Sequence, residues 1–170
     1  MQHYTALNTP IGSVCIVATP GRLSHVYLTS RPREAALEWL GQRHAGARHD
    51  PDLLEDLQYQ IGLYFAGERV SFQVPVDLTS LTEFQRRVLR ACARIGYGRT
   101  TTYGELARRL GAPEAARAVG GALARNPVPL VIPCHRVLAC NGKLGGFSAE
   151  QGLGLKKYLL DLEAEVRASI

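Results

Sequence analysis

Long apolar runs, closely paired cysteines and a basic leader are all missing from this 170-residue sequence. No apolar run approaches the ~20 residues that a membrane-spanning helix needs. The first residues, MQHYTALNTPIGSV, have neither the basic segment nor the apolar segment of an export signal. The four cysteines do not have the spacing of a disulfide framework; they are Cys15, Cys92, Cys134 and Cys140. We therefore expect a cytoplasmic protein with reduced thiols.

Lysine is also scarce, with 3 Lys against 17 Arg and 15 acidic residues, and the net charge is +5. The positive charge is concentrated in the second half, because residues 1–80 have a net charge of −2 and residues 81–170 have +7. A basic half beside an acidic half indicates an anionic partner, with nucleic acid as the leading candidate. An arginine-rich composition that simply gives a basic surface explains the same excess, so charge alone leaves both interpretations open.

The sequence predicts an α+β protein of two domains that meet where the charge changes sign. In residues 1–80, the β-branched segments YTALNT, SVCIVATP and LSHVYLTS alternate with Pro and Gly turns, which predicts a small antiparallel sheet. Apolar spacing predicts helices at 33–44 and 52–66, and VSFQVPVDL predicts a last strand. We expect residues 1–80 to form a supporting α/β domain and residues 81–170 to form a mostly helical domain.

The second half has the pattern of a helix-turn-helix, with or without a wing. A first helix is predicted over 82–94. The stretch TTYGE has the spacing of a capping box and opens a short helix that ends at Gly111. Pro113 suits the first position of the next helix, which runs to about Arg125. Two short helices with a tight turn between them are typical of DNA-binding modules, although other helical hairpins share the pattern.

Two charged residues have informative positions on these helices. Arg117 is one helical step, about 100°, from the inward-facing Ala116, so it points outward or sideways. A solvated surface arginine explains Arg117 as well as a binding residue does. The last helix runs from about residue 152 to residue 168, and Glu163 lies at the edge of its apolar stripe, where a carboxylate is costly unless it is paired. An edge glutamate that reaches solvent is the alternative.

The most reactive part of the sequence is NPVPLVIPCHRVLACNGKLGGFS, residues 126–148. A buried, inert thiol is the simplest interpretation of Cys134. A metal site would use Cys134, His135 and Cys140, but their spacing fits no zinc motif and a fourth ligand is not evident. A nucleophile is the third interpretation, because a nearby imidazole lowers the pKa of a thiol. Neighbouring residues on a strand point to opposite faces, so this interpretation requires a turn or a bridging water.

The stretch NPVPLVIPCHRV resembles the active-site signature of the O6-alkylguanine-DNA alkyltransferases, also called methylated-DNA–protein-cysteine methyltransferases. The resemblance continues through TTYGELARRLG and AARAVGGALARNP to LKKYLLDLE, and it covers residues 82–165 closely. It implies a stoichiometric DNA-repair enzyme that binds duplex DNA, takes the alkyl group from O6-alkylguanine or O4-alkylthymine, and acts once. It also implies no cofactor, with residues 81–170 as the DNA-binding and acceptor domain. Some family members bind a structural zinc in the N-terminal domain, but the scattered His3, Cys15 and His25 do not form such a site, so we expect no metal.

The resemblance implies a role for each polar residue of the motif. Cys134 would be the nucleophile and acceptor, with His135 as its base through a water and Glu163 orienting the imidazole. Asn126 would link the helix-turn-helix to the active-site loop. Tyr103 would contact the DNA, help to rotate the damaged nucleotide out of the duplex, and donate a proton toward guanine N3.

The resemblance also implies how the DNA is bound. Arg117 would fill the stack that the flipped nucleotide leaves, since the alkyl carbon is out of reach inside a duplex. Ala116 and Gly120 would give the helix a slender face for the minor groove, whose degenerate edges suit a protein that works at any sequence. The pocket for the flipped base would be lined by Pro129, Val137, Phe147 and Ser148. Some family members have tyrosine where this chain has Phe147, which keeps the aromatic wall but removes a hydroxyl.

Two other classes of protein share part of this pattern. A DNA-binding regulator with Cys134 as a sensor would use the helix-turn-helix, but it would give the Cys-His-Glu set no purpose. A regulator would also favour a dimer, whereas no dimerisation helix is evident and we expect a monomer. A thiol hydrolase would explain the Cys-His-Glu set but not the basic helices or Arg117. A hydrolase turns over, whereas an acceptor stops after one event.

Overall fold

The structure is a computed structural model that describes residues 1–147, 149–150 and 152–168. The chain divides into two units. The first contains residues 1–77 and the short segment 149–150, and the second contains the other described residues from Leu78 onward. Within the described part, no helix is long and apolar enough to cross a membrane.

A four-stranded sheet forms the first unit, and three of its strands are the predicted antiparallel meander. In the order of the sheet the strands are β3 (Arg22–Thr29), β2 (Gly12–Thr19), β1 (His3–Thr9) and the parallel β4 (Arg48–His49). The turn before β2 requires glycine, because Gly12 has a φ of +119° and a Cβ atom there would overlap the Thr29 carbonyl.

Two helices accompany this sheet, α1 (Arg33–Arg43) and α2 (Glu55–Phe65). Helix α1 packs on the sheet through a small apolar cluster formed by Ala6, Cys15, Val17, Ala36 and Leu40. Helix α2 begins three residues later than predicted, because Leu54 has a left-handed φ of 51° that cannot continue a right-handed helix.

The last strand expected in this unit does not form. Within the described stretch VSFQVPVDL, the chain meets β3 at a single bridge, between Leu23 and Val76. Pro75 accepts a hydrogen bond there from the Leu23 nitrogen at 2.9 Å, but it has no N–H to donate. A longer ladder is therefore not available to this segment.

The second unit is mostly helical, which confirms the predicted α+β class. Its elements are α3 (Glu83–Ala93), β5 (Thr101–Thr102), α4 (Tyr103–Arg109), α5 (Ala116–Ala124), a 3₁₀ turn (Cys134–Arg136), β6 (Val137–Leu138) and α6 (Gly152–Ala168). Helix α3 begins with a capping box between Thr82 and Gln85. Helices α4 and α5 pack together as the predicted helix-turn-helix, although α5 begins at Ala116 rather than at Pro113.

A short parallel ladder sets the geometry of the site. Strand β5 pairs with β6, with Thr101 opposite Val137 and Thr102 opposite Leu138. Tyr103 follows β5 directly and opens α4, where the Thr102 hydroxyl accepts a hydrogen bond from the Glu105 nitrogen at 3.1 Å. The 3₁₀ turn directly precedes β6. The ladder therefore brings the start of α4 close to the Cys-His-Arg turn.

Candidate active site

The chain that leads to Cys134 folds back on itself in a tight turn. The Asn126 side chain donates to the Ile132 carbonyl at 2.9 Å and accepts from the Val128 nitrogen at 3.0 Å. The Ile132 nitrogen donates to the Val128 carbonyl at 3.0 Å, and Leu130 between them has a left-handed φ of 75°. Asn126 is buried, so its amide holds both ends of this turn without competition from water.

Cys134 begins the 3₁₀ turn and is 6% exposed. Burial raises the pKa of the Cys134 thiol, against the opposing effects of a hydrogen bond with Asn126 and the nearby charge of Lys156. The resting sulfur is therefore a protonated thiol rather than a preformed thiolate. A reaction at this sulfur needs a group that accepts the proton.

A histidine and a carboxylate form a completely buried pair beside Cys134. The His135 Nε2 atom lies 2.6 Å from the Glu163 Oε2 atom. Burial lowers the pKa of His135, although Glu163 opposes this, whereas His135 and Arg136 together outweigh burial and hold the pKa of Glu163 below its ordinary value. Among the described residues, none hydrogen-bonds the other ring nitrogen of His135, Nδ1. An ionised Glu163 with a neutral His135 is a suitable proton acceptor.

Arg136 occupies the second oxygen of the same carboxylate. Its Nε atom donates to Glu163 Oε1 at 2.7 Å, and its Nη2 atom also contacts this oxygen. Its Nη1 atom donates to the carbonyl of Ile95, just beyond α3, at 2.6 Å. Arg136 belongs to the recognised motif, but sequence reasoning gave it no role, because its partner lies 27 residues further along the chain.

Lys156 is a second functional candidate that sequence reasoning missed. It is fully buried, and its Nζ atom donates to the carbonyls of Val137 at 2.7 Å and Gly146 at 3.0 Å. Burial lowers the pKa of Lys156, and the electrostatic influence of Cys134 and Cys92 opposes this effect. Its spacing from Glu163 could have indicated this role, because two residues that are seven positions apart lie on one face of α6.

Tyr103 contacts the loop that follows β6. Its hydroxyl oxygen accepts a hydrogen bond from the Gly146 nitrogen at 3.2 Å, and the Lys156 Nζ atom lies 5.8 Å from its ring centroid. The loop passes very close, since a Cβ atom at Gly145 would lie 2.5 Å from the Tyr103 hydroxyl oxygen. Burial raises the pKa of Tyr103, partly offset by its hydrogen bond with Gly146, so the phenol is a proton donor at neutral pH.

A cavity of about 640 Å³ is lined by six of the twelve predicted site residues. Its lining is largely apolar and comes from α4, α5, the 3₁₀ turn and the loop after β6: Tyr103, Gly104, Ala116, Arg117, Gly120, Leu123, Ala124, Cys134, Ala139, Cys140, Gly146 and Phe147. Arg117 is exposed, whereas Cys134 is almost buried. A cavity of this size accommodates a purine base with its sugar.

The structure does not bring all predicted site residues to this cavity. Pro129 and Val137 are buried and are not among its described lining residues. Pro129 is part of the turn that closes on Ile132, and Val137 is engaged in the ladder with β5. Ser148 lies outside the described residues. In the described part of the chain, no three His, Cys, Asp or Glu side chains form a group that could hold a metal ion.

Two family models match this chain. One, described as the DNA binding domain of 6-O-methylguanine DNA methyltransferase, matches residues 83–165, and the other, described as its ribonuclease-like domain, matches residues 2–78. A methylated-DNA–protein-cysteine methyltransferase of Mycolicibacterium paratuberculosis is 39% identical over 163 residues, which are 96% of this chain and 93% of that protein. The constitutive enzyme of the same name from Bacillus subtilis is 35% identical over 164 residues, 96% of each chain.

Solved structures match the fold over nearly its whole length. The crystal structure of Mycobacterium tuberculosis O6-methylguanine methyltransferase has a TM-score of 0.82 and 38% identity, and it covers 97% of this chain and 94% of that chain. The Mycobacterium tuberculosis OGT in complex with DNA has a TM-score of 0.84 and 36% identity, with 96% and 94% covered. Every residue of the site described above lies within the match to the DNA binding domain.

Proposed function

Because the chain belongs to the 6-O-methylguanine DNA methyltransferase family, we propose that it repairs DNA by transferring the alkyl group of O6-alkylguanine to its own Cys134. One observation carries this proposal. The thiol of Cys134 lines a cavity shared with Arg117 and Tyr103, and the next residue, His135, is bonded to the buried carboxylate of Glu163.

The proposed reaction is a single displacement at the alkyl carbon. The Cys134 sulfur forms a bond to this carbon as the bond from carbon to guanine O6 breaks, and the electron pair of the broken bond stays on the guanine. His135 accepts the thiol proton through a water, and Tyr103 supplies a proton to guanine N3. The proton held by His135 then returns to the Tyr103 phenolate through solvent, so in balance the thiol proton replaces the alkyl group and the reaction consumes no cofactor. The thioether product is stable, and each molecule therefore acts once.

The surrounding residues support this chemistry. The raised pKa of the Cys134 thiol makes a base necessary, and the lowered pKa of His135 leaves its imidazole free to accept a proton. The raised pKa of Tyr103 keeps its phenol protonated. Asn126 acts on the same sulfur in two ways: it hydrogen-bonds Cys134, and its two other hydrogen bonds hold the turn that presents this residue.

DNA is the partner in this proposal, and the damaged nucleotide must leave the duplex to reach the cavity. Helix α5 would enter the minor groove with Ala116 and Gly120 at its slender face, and the exposed Arg117 would fill the vacated stack. Tyr103 faces this helix, because a Cβ atom at Gly120 would lie 3.9 Å from its ring. Phe147 would form the aromatic wall of the base pocket. A similar protein solved in complex with DNA supports DNA as the partner.

The proposal extends to the rest of the protein. Residues 81–170 would form the DNA-binding and acceptor domain and residues 1–80 a supporting domain. The protein would act as a monomer in the cytoplasm, where its thiols stay reduced. O4-alkylthymine would also be a substrate, since its alkyl carbon is attached to an equivalent exocyclic oxygen.

The test is the intact mass of the protein after incubation with excess duplex oligonucleotide containing one O6-methylguanine, followed by peptide mapping. We expect one methyl group per chain, on Cys134. Cys134→Ser should gain no methyl group while it still binds the DNA. Cys140→Ser is the matched control, because Cys140 lines the same cavity, and its methyl group must still be on Cys134. More than one methyl group, a methyl group on Cys140, or released methanol would contradict the acceptor mechanism.

A further inference from the structure

We propose that Arg136 is a positioning residue for the transfer reaction: by binding the second oxygen of Glu163, it fixes the carboxylate and keeps His135 a neutral proton acceptor. This inference rests on the proposed function of Cys134 and His135. It assigns a role to an arginine that lies on the far side of the carboxylate from the imidazole.

The two oxygens of the Glu163 carboxylate bind two different partners. Glu163 uses Oε2 for His135, at 2.6 Å, and Oε1 for Arg136, at 2.7 Å. The Gly98 nitrogen also donates to Oε1, at 3.4 Å. Glu163 and Arg136 are 2% and 8% exposed at their side chains, so solvent screens this arrangement very little.

Arg136 is anchored on the side away from Glu163. The Arg136 guanidinium is itself held, since Nη1 donates to the Ile95 carbonyl at 2.6 Å and Cζ lies 5.6 Å from the Tyr97 ring centroid. A planar guanidinium with fixed donors defines the direction of its carboxylate partner. Through Arg136, the orientation of Glu163 and hence of the His135 ring is tied to the segment that follows α3.

Arg136 also balances the charge of Glu163 in a site that is closed to solvent. A buried carboxylate requires a compensating positive charge, and burial strongly disfavours an uncompensated one. With Arg136 present, Glu163 is already compensated and His135 can remain neutral. Without Arg136, the nearest group that can supply the missing charge is the imidazole, which would then become an imidazolium and lose its capacity to accept the thiol proton.

Together with burial, the charged and titratable groups around His135 leave it in its neutral form. They are Glu163 and Lys156 on α6, Arg136 and Cys134 in the 3₁₀ turn, and Cys92 on α3 next to Cys134. Burial has the largest effect on the pKa of His135 and lowers it; Glu163 raises this pKa, and Arg136 and Lys156 lower it. Arg136 is the cation among them that also hydrogen-bonds Glu163.

The test combines two measurements on the full-length protein. Nitrogen-15 NMR of labelled histidine reports the protonation state of His135 from pH 5 to 9, and single-turnover methyl transfer from duplex DNA gives a pH–rate profile. Arg136→Gln removes the charge, and Arg136→Lys retains it. Arg43→Gln, at an exposed arginine of the first unit, controls for the loss of one positive charge.

In the wild type we expect a neutral His135 at pH 7. In Arg136→Gln we expect an imidazolium at pH 7, an acid limb of the rate profile shifted upward by about 1 pH unit or more, and a rate that recovers at high pH. In Arg136→Lys the acid limb of the rate profile should shift less, and in Arg43→Gln it should stay where it is in the wild type.

Two results would overturn the inference. One is a rate for Arg136→Gln reduced by the same factor at every pH, with His135 neutral as in the wild type, because that pattern indicates a purely structural role. The other is an imidazolium at pH 7 in the wild type, which is decisive even if Arg136→Gln does not fold. A wild type that transfers no methyl group would instead contradict the proposed function, while the NMR measurement still tests the effect of Arg136 on His135.

Discussion

The Nζ atom of Lys156 lies 2.7 Å from the carbonyl oxygen of Val137 although the side chain has no exposed surface. A second hydrogen bond joins the same ammonium group to the Gly146 carbonyl at 3.0 Å. A single buried cation thus ties the strand after the reactive turn to the loop that lines the cavity. Burying a lysine is costly, so we expect its charge to contribute to the reactivity of the nearby thiol.

The first prediction concerns this charge. Lys156 opposes the burial that raises the pKa of Cys134, so Lys156→Met should raise the thiol pKa further. In a Cys140→Ser background, the pH midpoint for alkylation of Cys134 by iodoacetamide should increase by about 1 unit. Lys156→Arg keeps the charge and should shift the midpoint less. Mass spectrometry across a pH series measures the midpoint, and an unchanged midpoint in Lys156→Met would show that the charge does not act on the sulfur.

The second prediction concerns the close approach of the loop to Tyr103. Gly145→Ala places a Cβ atom 2.5 Å from the Tyr103 hydroxyl oxygen, whereas Gly142→Ala meets no atom within 4 Å. The two glycines have similar φ values, +68° and +76°, so both variants should lose a similar ~1 kcal/mol of unfolding free energy to backbone strain.

The difference between these variants should therefore appear in the chemistry. Gly145→Ala must displace either Tyr103 or the loop, and we expect single-turnover transfer from duplex DNA to slow by about 10²-fold. Gly142→Ala should transfer at nearly the wild-type rate. Denaturant unfolding measures how much more stability Gly145→Ala loses than Gly142→Ala, since displacing Tyr103 or the loop adds to the shared backbone strain. Equal transfer rates in the two variants would show that the close approach of the loop to Tyr103 is not required for transfer.

Local patterns predicted more of this fold than long-range ones did. The meander of β1, β2 and β3 was predicted correctly because hairpin strands are close in sequence and alternate in a recognisable way. The β5–β6 ladder has two residues in each strand and joins positions 36 residues apart, which leaves no periodic signal. The prediction of a strand at VSFQVPVDL was wrong, because apolar alternation does not register that Pro75 lacks the N–H that a longer ladder needs.

The residues of the site also differ in whether a local sequence pattern could predict them. The edge position of Glu163 suggested that this carboxylate needed a partner, and the structure supplies two, His135 and Arg136. Lys156 was missed because a lysine beside an apolar stripe is usually solvated, and its burial depends on carbonyls that lie 10 and 19 residues away. Pairings of this kind arise from tertiary structure, which no local pattern encodes.

The third prediction concerns the acid stability that Glu163 contributes. Its pKa in the folded protein is held below the ordinary value. The carboxylate therefore stabilises the fold above its unfolded pKa of about 4.3, and this stabilisation is lost as the pH falls toward the folded pKa. The free energy of unfolding of the wild type should consequently decrease below about pH 5, and Glu163→Gln should show less of this decrease.

Urea unfolding between pH 3 and pH 7 measures this difference. Glu163→Gln should also be less stable at pH 7 by about 3 kcal/mol or more, because it leaves the buried Arg136 without its counter-ion. Glu105→Gln is the comparison variant, since its carboxylate pairs with Arg108 at the surface, where such pairs contribute little. A pH dependence that is identical in the wild type and Glu163→Gln would mean that other groups determine the acid stability.

The fourth prediction separates two possible uses of Arg117, which is exposed and lines the cavity. If this side chain fills the gap left by a flipped nucleotide, Arg117→Ala should slow transfer from duplex DNA by about tenfold or more while it leaves reaction with free O6-methylguanine base within about twofold. If it contacts a phosphate, the affinity for DNA should fall evenly across sequences and the salt dependence of binding should weaken by about one counter-ion.

Arg94→Ala provides the charge-matched comparison, because Arg94 is an exposed arginine at the end of α3 in the same unit. Single-turnover rates with duplex, single-stranded and free-base substrates, together with binding at several salt concentrations, distinguish the two uses. A duplex-specific loss of rate in Arg117→Ala alone, with an unchanged salt slope, supports stack filling. Equal losses with duplex and free base would contradict it, because a free base leaves no gap to fill.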